Sequence, residues 1–544
     1  MSTLCKETSE DFMKVLNDIN PLTRLDYPDP DVIRVDDTYY MVSTTMHFMP
    51  GCEILRSYDL KNWEHVSYVY DRLDSTPGQC LEGDCHIYGK GMWAASLRYY
   101  KGTFYVVFAA NDTRTTYLYR AQDVQGPWVK STIEGFYHDC SLLFDDDDRV
   151  YLAYGNKEIH IQELKTDLSG PLEGGLHRIA VVDEGHPGLG YEGTHFYKIN
   201  GKYYLFFIHS LRDRWRRVEA CFMADAVDGE FKGGDVLNDD RGYCGQGVAQ
   251  GGIVDTPDGS WFAVLFQDSG AVGRIPILLP VHFESDYPVF GVEGRVPEDF
   301  ETPDSVPDYG YQPLVASDDF KMSATEYVAV SNEKEAKRLF GSFGLKSCWQ
   351  FNHEPDPALT KLDAKEGTWS VCTDKLCTNL TQARNTITQR MIYPGGDYAV
   401  NVDGAQLNVG DYAGICALQG CYGMIAITRK ADGYYLVMQS VEVADNTLQA
   451  AEKMCYIGKE RESIYLGQQM NRVRLGVKTD FTYMRDEATF YYQSGDTRMK
   501  LGDAHKLAFK LDHFTGCRVG LFVYSTKQTG GKGVFSDFTY KITE

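Results

Sequence analysis

The chain has 544 residues, a formal net charge of −23 and 43% hydrophobic residues. Its length predicts two domains, and its composition is that of a globular protein. No window holds the roughly 18 consecutive apolar residues that a membrane-spanning helix needs, so we expect no membrane association. The acidic charge argues against nucleic acid and phosphorylated substrates, which need clustered Lys and Arg, but it is compatible with a neutral ligand such as a sugar.

Residues 1–20 are predicted to form an N-terminal extension with one short helix, Glu7–Leu16, opened by Thr8 or Ser9. This segment lacks the apolar core of a signal peptide, so we expect a cytoplasmic protein. In that compartment the 14 Cys are expected to be reduced thiols. Homo-oligomerisation is left open.

One pattern occurs five times between residues 21 and 300: a polar or aromatic start, an apolar strand, a tight turn and an aromatic strand. Turns such as Asn200-Gly201 and Asp258-Gly259 are typical of β-hairpins. The spacing of the copies leaves room for about four short strands each, which predicts a five-bladed β-propeller. The copies start at Asp29, Trp93, Asp139, Glu192 and Gln250.

Three of these five starts are carboxylates: Asp29, Asp139 and Glu192. In a propeller the innermost strands surround the axis, so equivalent positions of different blades converge on one end of the central funnel. The alternative is that each carboxylate is a turn or cap residue. Caps need not recur in phase, however, and the shared phase favours one pocket with three acids.

The composition and the strand pattern of the sequence change after residue 300. Residues 301–316 are rich in Pro and acidic side chains and are predicted to form a linker. Residues 317–544 show short alternating strands without the repeat, which predicts a β-sandwich of the jelly-roll, concanavalin-like kind. The predicted strands include Gly423–Arg429, Tyr434–Gln439, Arg472–Val477, Ala488–Gln493 and Val519–Tyr524.

Carboxylates gathered in one pocket fit the hydrolysis of a glycosidic bond. One carboxyl group protonates the leaving oxygen and a second activates water at the anomeric carbon. A third, ionised nearby, helps the acid to keep its proton near neutral pH, because like charges resist sharing a site.

Several motifs occur in the order found in glycoside hydrolase family 43. They include Pro28-Asp29-Pro30, Gly91-Met-Trp93-Ala94, Asp139-Cys-Ser141-Leu-Leu-Phe144, Glu192-Gly-Thr-His195 and Gly273-Arg274. The second half resembles the sandwich of the family's β-xylosidases through Trp349-Gln-Phe-Asn-His353, Gln389-Arg390 and Phe514-Thr-Gly516. The chain is therefore similar, from about residue 20 to 540, to the family's two-domain β-xylosidases and α-L-arabinofuranosidases.

The resemblance implies an inverting mechanism with Asp29 as general base, Glu192 as general acid and Asp139 as the modulator that also orients the acid. It further implies sugar contacts from Trp93 and Arg274, although a core aromatic and a strand-edge ion pair remain the respective alternatives. The other residues expected near the substrate are Met46, Phe48, His195, Gln250 and Phe514. For His195 the alternative is a packed neighbour of the acid.

Two positions depart from the family pattern. Met46 stands where many family xylosidases place an aromatic, and Gln250 where many members have an axial His. No cofactor is expected for the chemistry. The resemblance does suggest structural calcium, either on the axis at Gln250 or in the sandwich near Asp319 and Asp537.

We therefore expect an exo-acting β-xylosidase that acts on xylo-oligosaccharides or arabinoxylo-oligosaccharides and also releases L-arabinofuranose. One alternative is an enzyme that acts mainly on arabinofuranosyl side chains of arabinoxylan or arabinan. The other is a propeller without catalysis, which binds sugar or serves as a protein scaffold. The basic run Arg212–Arg217 is interpreted as a surface hairpin or subunit contact.

Overall fold

The computed structural model describes residues 17–543 except 187, 331 and 443–456. The predicted helix Glu7–Leu16 lies outside the described residues. Within them, helices are short, and none combines the length and apolar character needed to cross a bilayer. The α-helices are α1 (Ala324–Val330) and α2 (Glu333–Leu339), and the 3-10 helices are Gly270–Val272, Pro357–Leu359, Leu380–Gln382 and Thr482–Met484.

The first half of the chain forms five antiparallel sheets of four strands, with orders β1-β2-β4-β5, β6-β7-β8-β9, β10-β11-β12-β13, β14-β15-β16-β17 and β18-β19-β20-β21. The predicted five-bladed β-propeller is confirmed. The strands in this half are β1 (Asp31–Val35), β2 (Thr38–Val42), β3 (Phe48–Met49), β4 (Gly51–Ser57), β5 (Glu64–Tyr70), β6 (Met92–Tyr100), β7 (Thr103–Ala110), β8 (Thr115–Ala121), β9 (Val129–Ile133), β10 (Ser141–Phe144), β11 (Val150–Asn156), β12 (Glu158–Leu164), β13 (His177–Val182), β14 (Glu192–Ile199), β15 (Lys202–Ser210), β16 (Arg217–Ala224), β17 (Lys232–Leu237), β18 (Val248–Asp255), β19 (Trp261–Asp268), β20 (Arg274–Glu284) and β21 (Tyr287–Phe290).

Each blade begins with an irregular inner strand. Asp29, Asp139 and Gln250 have left-handed backbones, with φ of 52°, 46° and 60°. In β14 the register shifts between Glu192 and His195. Such irregularities re-aim a side chain away from the regular alternation of a strand. We infer that these irregularities turn the first residue of each repeat into the funnel instead of between the blades.

The second half forms two large antiparallel sheets whose apolar faces share one core, with contributions such as Val400 and Val477 from one sheet and Ile415 and Ile425 from the other. The predicted concanavalin-like sandwich is confirmed. All five predicted strands are present, and the strand that begins at Arg472 runs three residues further than predicted, to Asp480. The strands are β22 (Gln350–Asn352), β23 (Thr360–Asp363), β24 (Thr368–Cys372), β25 (Ile387–Arg390), β26 (Gly395–Gln406), β27 (Asp411–Leu418), β28 (Gly423–Lys430), β29 (Gly433–Ser440), β30 (Lys459–Gly467), β31 (Arg472–Asp480), β32 (Glu487–Ser494), β33 (Thr497–Lys500), β34 (His505–Lys506), β35 (Arg518–Ser525) and β36 (Lys532–Ile542).

The two halves are joined by backbone pairing and by a linker that packs on the propeller. Strand β3 follows the first inner hairpin in sequence, yet it pairs with β22 and extends a sandwich sheet. Within the linker 301–316, the Tyr309 hydroxyl and the Gln312 backbone N–H both donate to the Glu64 carboxylate in the first blade. The sandwich is therefore held against one side of the propeller.

Candidate active site

All five repeat starts line one pocket of about 500 Å³. The sandwich contributes Leu511 and Phe514 to the same pocket, so both domains build it. Three acids that are distant in sequence thus meet in one cavity. Its lining includes the repeat starts Asp29, Trp93, Asp139, Glu192 and Gln250.

Asp29 is held by two donors. One carboxylate oxygen accepts from the Arg274 guanidinium at 2.8 Å, and the other accepts from the Thr44 hydroxyl at 2.7 Å. Only 6% of Asp29 is exposed. These two hydrogen bonds fix the orientation of the Asp29 side chain in the pocket.

Two donor nitrogens of the Arg274 guanidinium, Nε and Nη2, are buried, and neither has a hydrogen-bond partner among the described residues. Phe514 lies over its guanidinium, with the central carbon 4.6 Å from the ring centroid. Trp93 continues this aromatic wall, 6.0 Å from Phe514 between centroids. Donors beside aromatic faces are what a sugar, with hydroxyls on its edge and C–H groups on its faces, can contact.

Asp139, Glu192 and His138 form a compact cluster. The imidazole Nε2 of His138 lies 3.6 Å from Asp139 Oδ2 and 3.9 Å from Glu192 Oε2. The Gly193 backbone N–H donates to Asp139 at 3.2 Å, and the Asn156 amide donates to Glu192. Asp139 is buried, whereas Glu192 is partly exposed to the pocket.

The pKa of Asp139 is raised to about 7. Burial is the largest cause, and the charges of Glu192 and Asp29 raise the pKa further, although His138 opposes them. The carboxyl group of Asp139 therefore gains and loses its proton near neutral pH.

His138 is the cation of the cluster. Burial lowers its pKa, but the Asp139 and Glu192 carboxylates outweigh burial and raise the pKa to about 9. At neutral pH the imidazole is therefore charged and partly neutralises the two acids.

Several residues at the pocket were not predicted from sequence. They are His138, Asn156, Thr44, Leu189, Trp215 and Arg217. His138 directly precedes a repeat start, and Thr44 belongs to the Ser43-Thr-Thr segment after the first hairpin. Trp215 and Arg217 end the basic run that was interpreted as a surface hairpin. The position of His138 beside a carboxylate start was the clearest available signal.

Five of the predicted sugar contacts line the pocket: Trp93, Arg274, Met46, Gln250 and Phe514. Two do not. Phe48 is buried in β3 beneath Arg518, whose guanidinium carbon lies 3.5 Å from the ring centroid. His195, three residues after Glu192 on β14, is buried, and its Nδ1 lies 3.3 Å from Asp31 Oδ1. Both belong to the packing behind the pocket, and their placement does not support contact with a sugar.

The two sandwich residues suggested for calcium have protein partners. The Asp537 carboxylate pairs with Arg474 at 2.9 Å, and Asp319 accepts from the backbone of Lys321. The third candidate, Gln250, lines the pocket. Within the part of the chain that the structure describes, the single group of three His, Cys, Asp or Glu side chains that could hold a metal ion is His138, Asp139 and Glu192. Structural calcium at Gln250 or in the sandwich stays a prediction.

Comparisons with known proteins follow the same division of the chain. The sequence model for Glycosyl hydrolases family 43 matches residues 19–288, and the model for the beta xylosidase C-terminal concanavalin A-like domain matches residues 338–541. Together they cover both domains.

Named relatives carry two activities. A putative beta-xylosidase of Xylanibacter ruminicola is 30% identical over 384 residues, which cover 67% of this chain and 65% of the relative. A non-reducing end alpha-L-arabinofuranosidase of Bacteroides ovatus is 28% identical over 319 residues, or 55% of this chain and 58% of the relative.

Among solved structures, a bifunctional GH43-CE protein of Bacteroides eggerthii superimposes with a TM-score of 0.85 at 37% identity, over 97% of this chain and 64% of that protein. The chain thus spans somewhat less than two thirds of the length of such relatives. Both domains and their order agree with the family, and we conclude that this chain belongs to glycosyl hydrolases family 43.

Proposed function

We propose that the protein is an exo-acting glycoside hydrolase that releases xylose from the non-reducing ends of xylo-oligosaccharides with inversion. The observation that carries the proposal is that Asp29, Asp139 and Glu192, from three different blades, line one pocket. The name of the Xylanibacter ruminicola relative supports xylose as the released sugar.

Glu192 is assigned as the general acid. Glu192 is more exposed to the pocket than Asp139, which lies beside it. Glu192 is therefore the group that can hand a proton to the glycosidic oxygen. Asp139, buried beside Glu192 and His138, is assigned to holding charge beside the acid.

Asp29 is assigned as the general base. The hydrogen bonds from Arg274 and Thr44 fix its orientation, so that it can take a proton from a water that attacks the anomeric carbon. Asp29 and Glu192 belong to different blades, and in an inverting reaction the base and the acid act from opposite sides of the anomeric carbon.

The shape of the site favours action on chain ends. Phe514 and Leu511 of the sandwich close one side of the cavity, leaving a pocket of about 500 Å³ in place of an open groove. Such a space accepts the terminal sugar, while the remainder of the chain extends outward.

Release of L-arabinofuranose is the second candidate activity, alone or beside xylose release. Met46 leaves a flexible side chain in the wall where many family xylosidases have a rigid aromatic, and a flexible wall adapts more readily to a different sugar outline. The name of the Bacteroides ovatus relative agrees with this activity.

The test is hydrolysis of nitrophenyl β-xyloside, nitrophenyl α-L-arabinofuranoside and xylobiose, with Asp29→Asn protein as the control for contaminating enzymes. NMR of the first xylose released from nitrophenyl β-xyloside reads the anomer. We expect α-xylose, the inverted product. Loss of all three activities would refute the proposed function, and β-xylose as first product would refute inversion.

A further inference from the structure

The arginine-rich run predicted as a surface hairpin reaches the mouth of the active-site pocket. It forms the turn between β15 and β16 of the fourth blade, closed by the Leu211 backbone N–H donating to the Arg216 carbonyl at 2.9 Å. Trp215 on this turn lines the same pocket as Glu192 and remains 53% exposed. A half-exposed indole at a pocket mouth presents one apolar face to whatever occupies the entrance.

The indole is supported from behind. The Arg217 guanidinium carbon lies 5.6 Å from the Trp215 ring centroid, and Arg217 is itself buried and fixed by Asp268 at 2.6 Å. A Cβ added at Gly188 would lie 3.4 Å from the indole, so the neighbouring loop packs against the ring. A cation over an aromatic face and a close neighbour both hold the ring in place.

Trp215 packs against Gly188, in the loop that leads into the acid, Glu192. Asn156 donates to Glu192, and the Leu189 backbone N–H donates to Ser210, where the turn of Trp215 begins. These residues come from the third and fourth blades, whereas Phe514 and Arg274 gather around Asp29. Because an acid protonates the leaving oxygen, the leaving part of the substrate lies on the acid's side.

We propose that Trp215 is the stacking platform for the first sugar of the leaving group, which makes it a specificity-determining residue for saccharide leaving groups. A pyranose ring presents a face of C–H groups, and contact of that face with the exposed indole removes apolar surface from water. The inference rests on the proposed function, since it uses Glu192 as the acid. It adds that the enzyme selects substrates whose leaving group carries a ring at this position.

The test compares two substrates that share the cleaved sugar. The leaving group of xylobiose is xylose, which contains a ring, whereas the leaving group of β-xylosyl fluoride is fluoride, which has none. For Trp215→Ala we expect kcat/KM on xylobiose to fall about tenfold, with most of the change in KM, and kcat/KM on the fluoride to stay within about twofold. Trp215→Phe keeps an aromatic face and should recover most of the lost xylobiose activity. Arg214→Ala, an exposed neighbour on the same turn, should match the wild type on both substrates.

The outcomes separate the two proposals. Equal losses on both substrates for Trp215→Ala would overturn the platform, because the ring would then shape the site of the cleaved sugar or support the fold. No loss on xylobiose would overturn it as well. If the wild-type protein hydrolysed neither substrate, the proposed function would be refuted, and the proposed role of Trp215 would be refuted with it.

Discussion

Phe514 of the sandwich covers the guanidinium of Arg274 in the propeller, with the central carbon 4.6 Å from the ring centroid. The contact is locked by Asp26, whose carboxylate accepts from the backbone N–H groups of Arg274 and Gly516, each at 2.7 Å. The residue that orients Asp29 is therefore positioned by both domains. The second domain is part of the active site as well as a support for it.

Removal of the Phe514 ring should weaken the site without unfolding the protein. A cation–aromatic contact of this kind contributes about 0.5–2 kcal/mol, so Phe514→Ala should lower kcat/KM on nitrophenyl xyloside by about 2- to 30-fold. Phe514→Tyr keeps the ring and serves as the matched control. Steady-state kinetics with a thermal melt of each variant is the measurement. An Ala variant that melts normally and retains full activity would contradict the role of the sandwich.

Replacement of Glu192 should affect substrates according to their leaving group. Glu192→Ala removes the proton donor, so kcat/KM on xylobiose should fall by at least the 10²–10⁴-fold typical of general acids. Xylosyl fluoride, whose leaving group needs no proton, should be largely spared. A loss of equal size on both substrates would show that Glu192 is not the acid.

Replacement of Asp29 should slow the hydrolysis of every substrate to a similar extent. Asp29→Asn keeps the size of the side chain and its neighbours Arg274 and Thr44, but it cannot accept a proton from water. We expect about 10²–10⁴-fold losses or more in kcat on both xylobiose and xylosyl fluoride. Selective loss on xylobiose would assign Asp29 to the leaving-group side instead. Thr44→Val, which removes one hydrogen bond and keeps the carboxylate, provides a milder comparison.

The fold and the three acids could be predicted because both depend on a repeat. A polar start in phase with an apolar strand and a hairpin turn is visible in sequence, and circular repetition brings Asp29, Asp139 and Glu192 together without knowledge of any contact. The same reasoning placed Trp93 and Gln250 in the pocket, and all five line it.

Residues that depend on tertiary packing could not be predicted. His138 stands outside the repeat position, and its charge arises from two carboxylates that approach it in space. Trp215 lies on a basic turn whose sequence is that of any exposed hairpin. Phe48 was expected near the sugar, but pairing of β3 with β22 turns it into the sandwich. His195 follows Glu192 on the same strand, and because of the register shift between the two residues their side chains point in different directions.

Asp139 should be a source of pH-dependent instability. Its pKa rises from an ordinary value of 3.8 to about 7 on folding, mainly through burial. The folded state thus binds the proton more tightly than the unfolded state. This contribution to stability is complete below pH 3.8 and is lost as the pH rises through 7.

Asp139→Asn removes that penalty and should raise Tm at pH 8 by about 1–2 °C relative to the wild type, with a smaller or no gain at pH 4. Catalysis should suffer at the same time, because Glu192 loses the neighbouring negative charge that helps it to keep its proton. The alkaline limb of the pH–rate profile should therefore move to lower pH. Melting curves and profiles at both pH values provide the readout, and an unchanged alkaline limb would count against Asp139 as modulator.

His138 should act in the opposite direction to Asp139. Its imidazole lies 3.6 Å and 3.9 Å from the two carboxylates and is charged at neutral pH, so it favours loss of the Asp139 proton. His138→Asn removes this cation, and the alkaline limb should move to higher pH by about one unit. Thermal melts on the same samples would separate this electrostatic effect from damage to the fold. A shift to lower pH, or a loss of activity that does not depend on pH, would show that His138 serves the site by packing against Trp93 rather than by its charge.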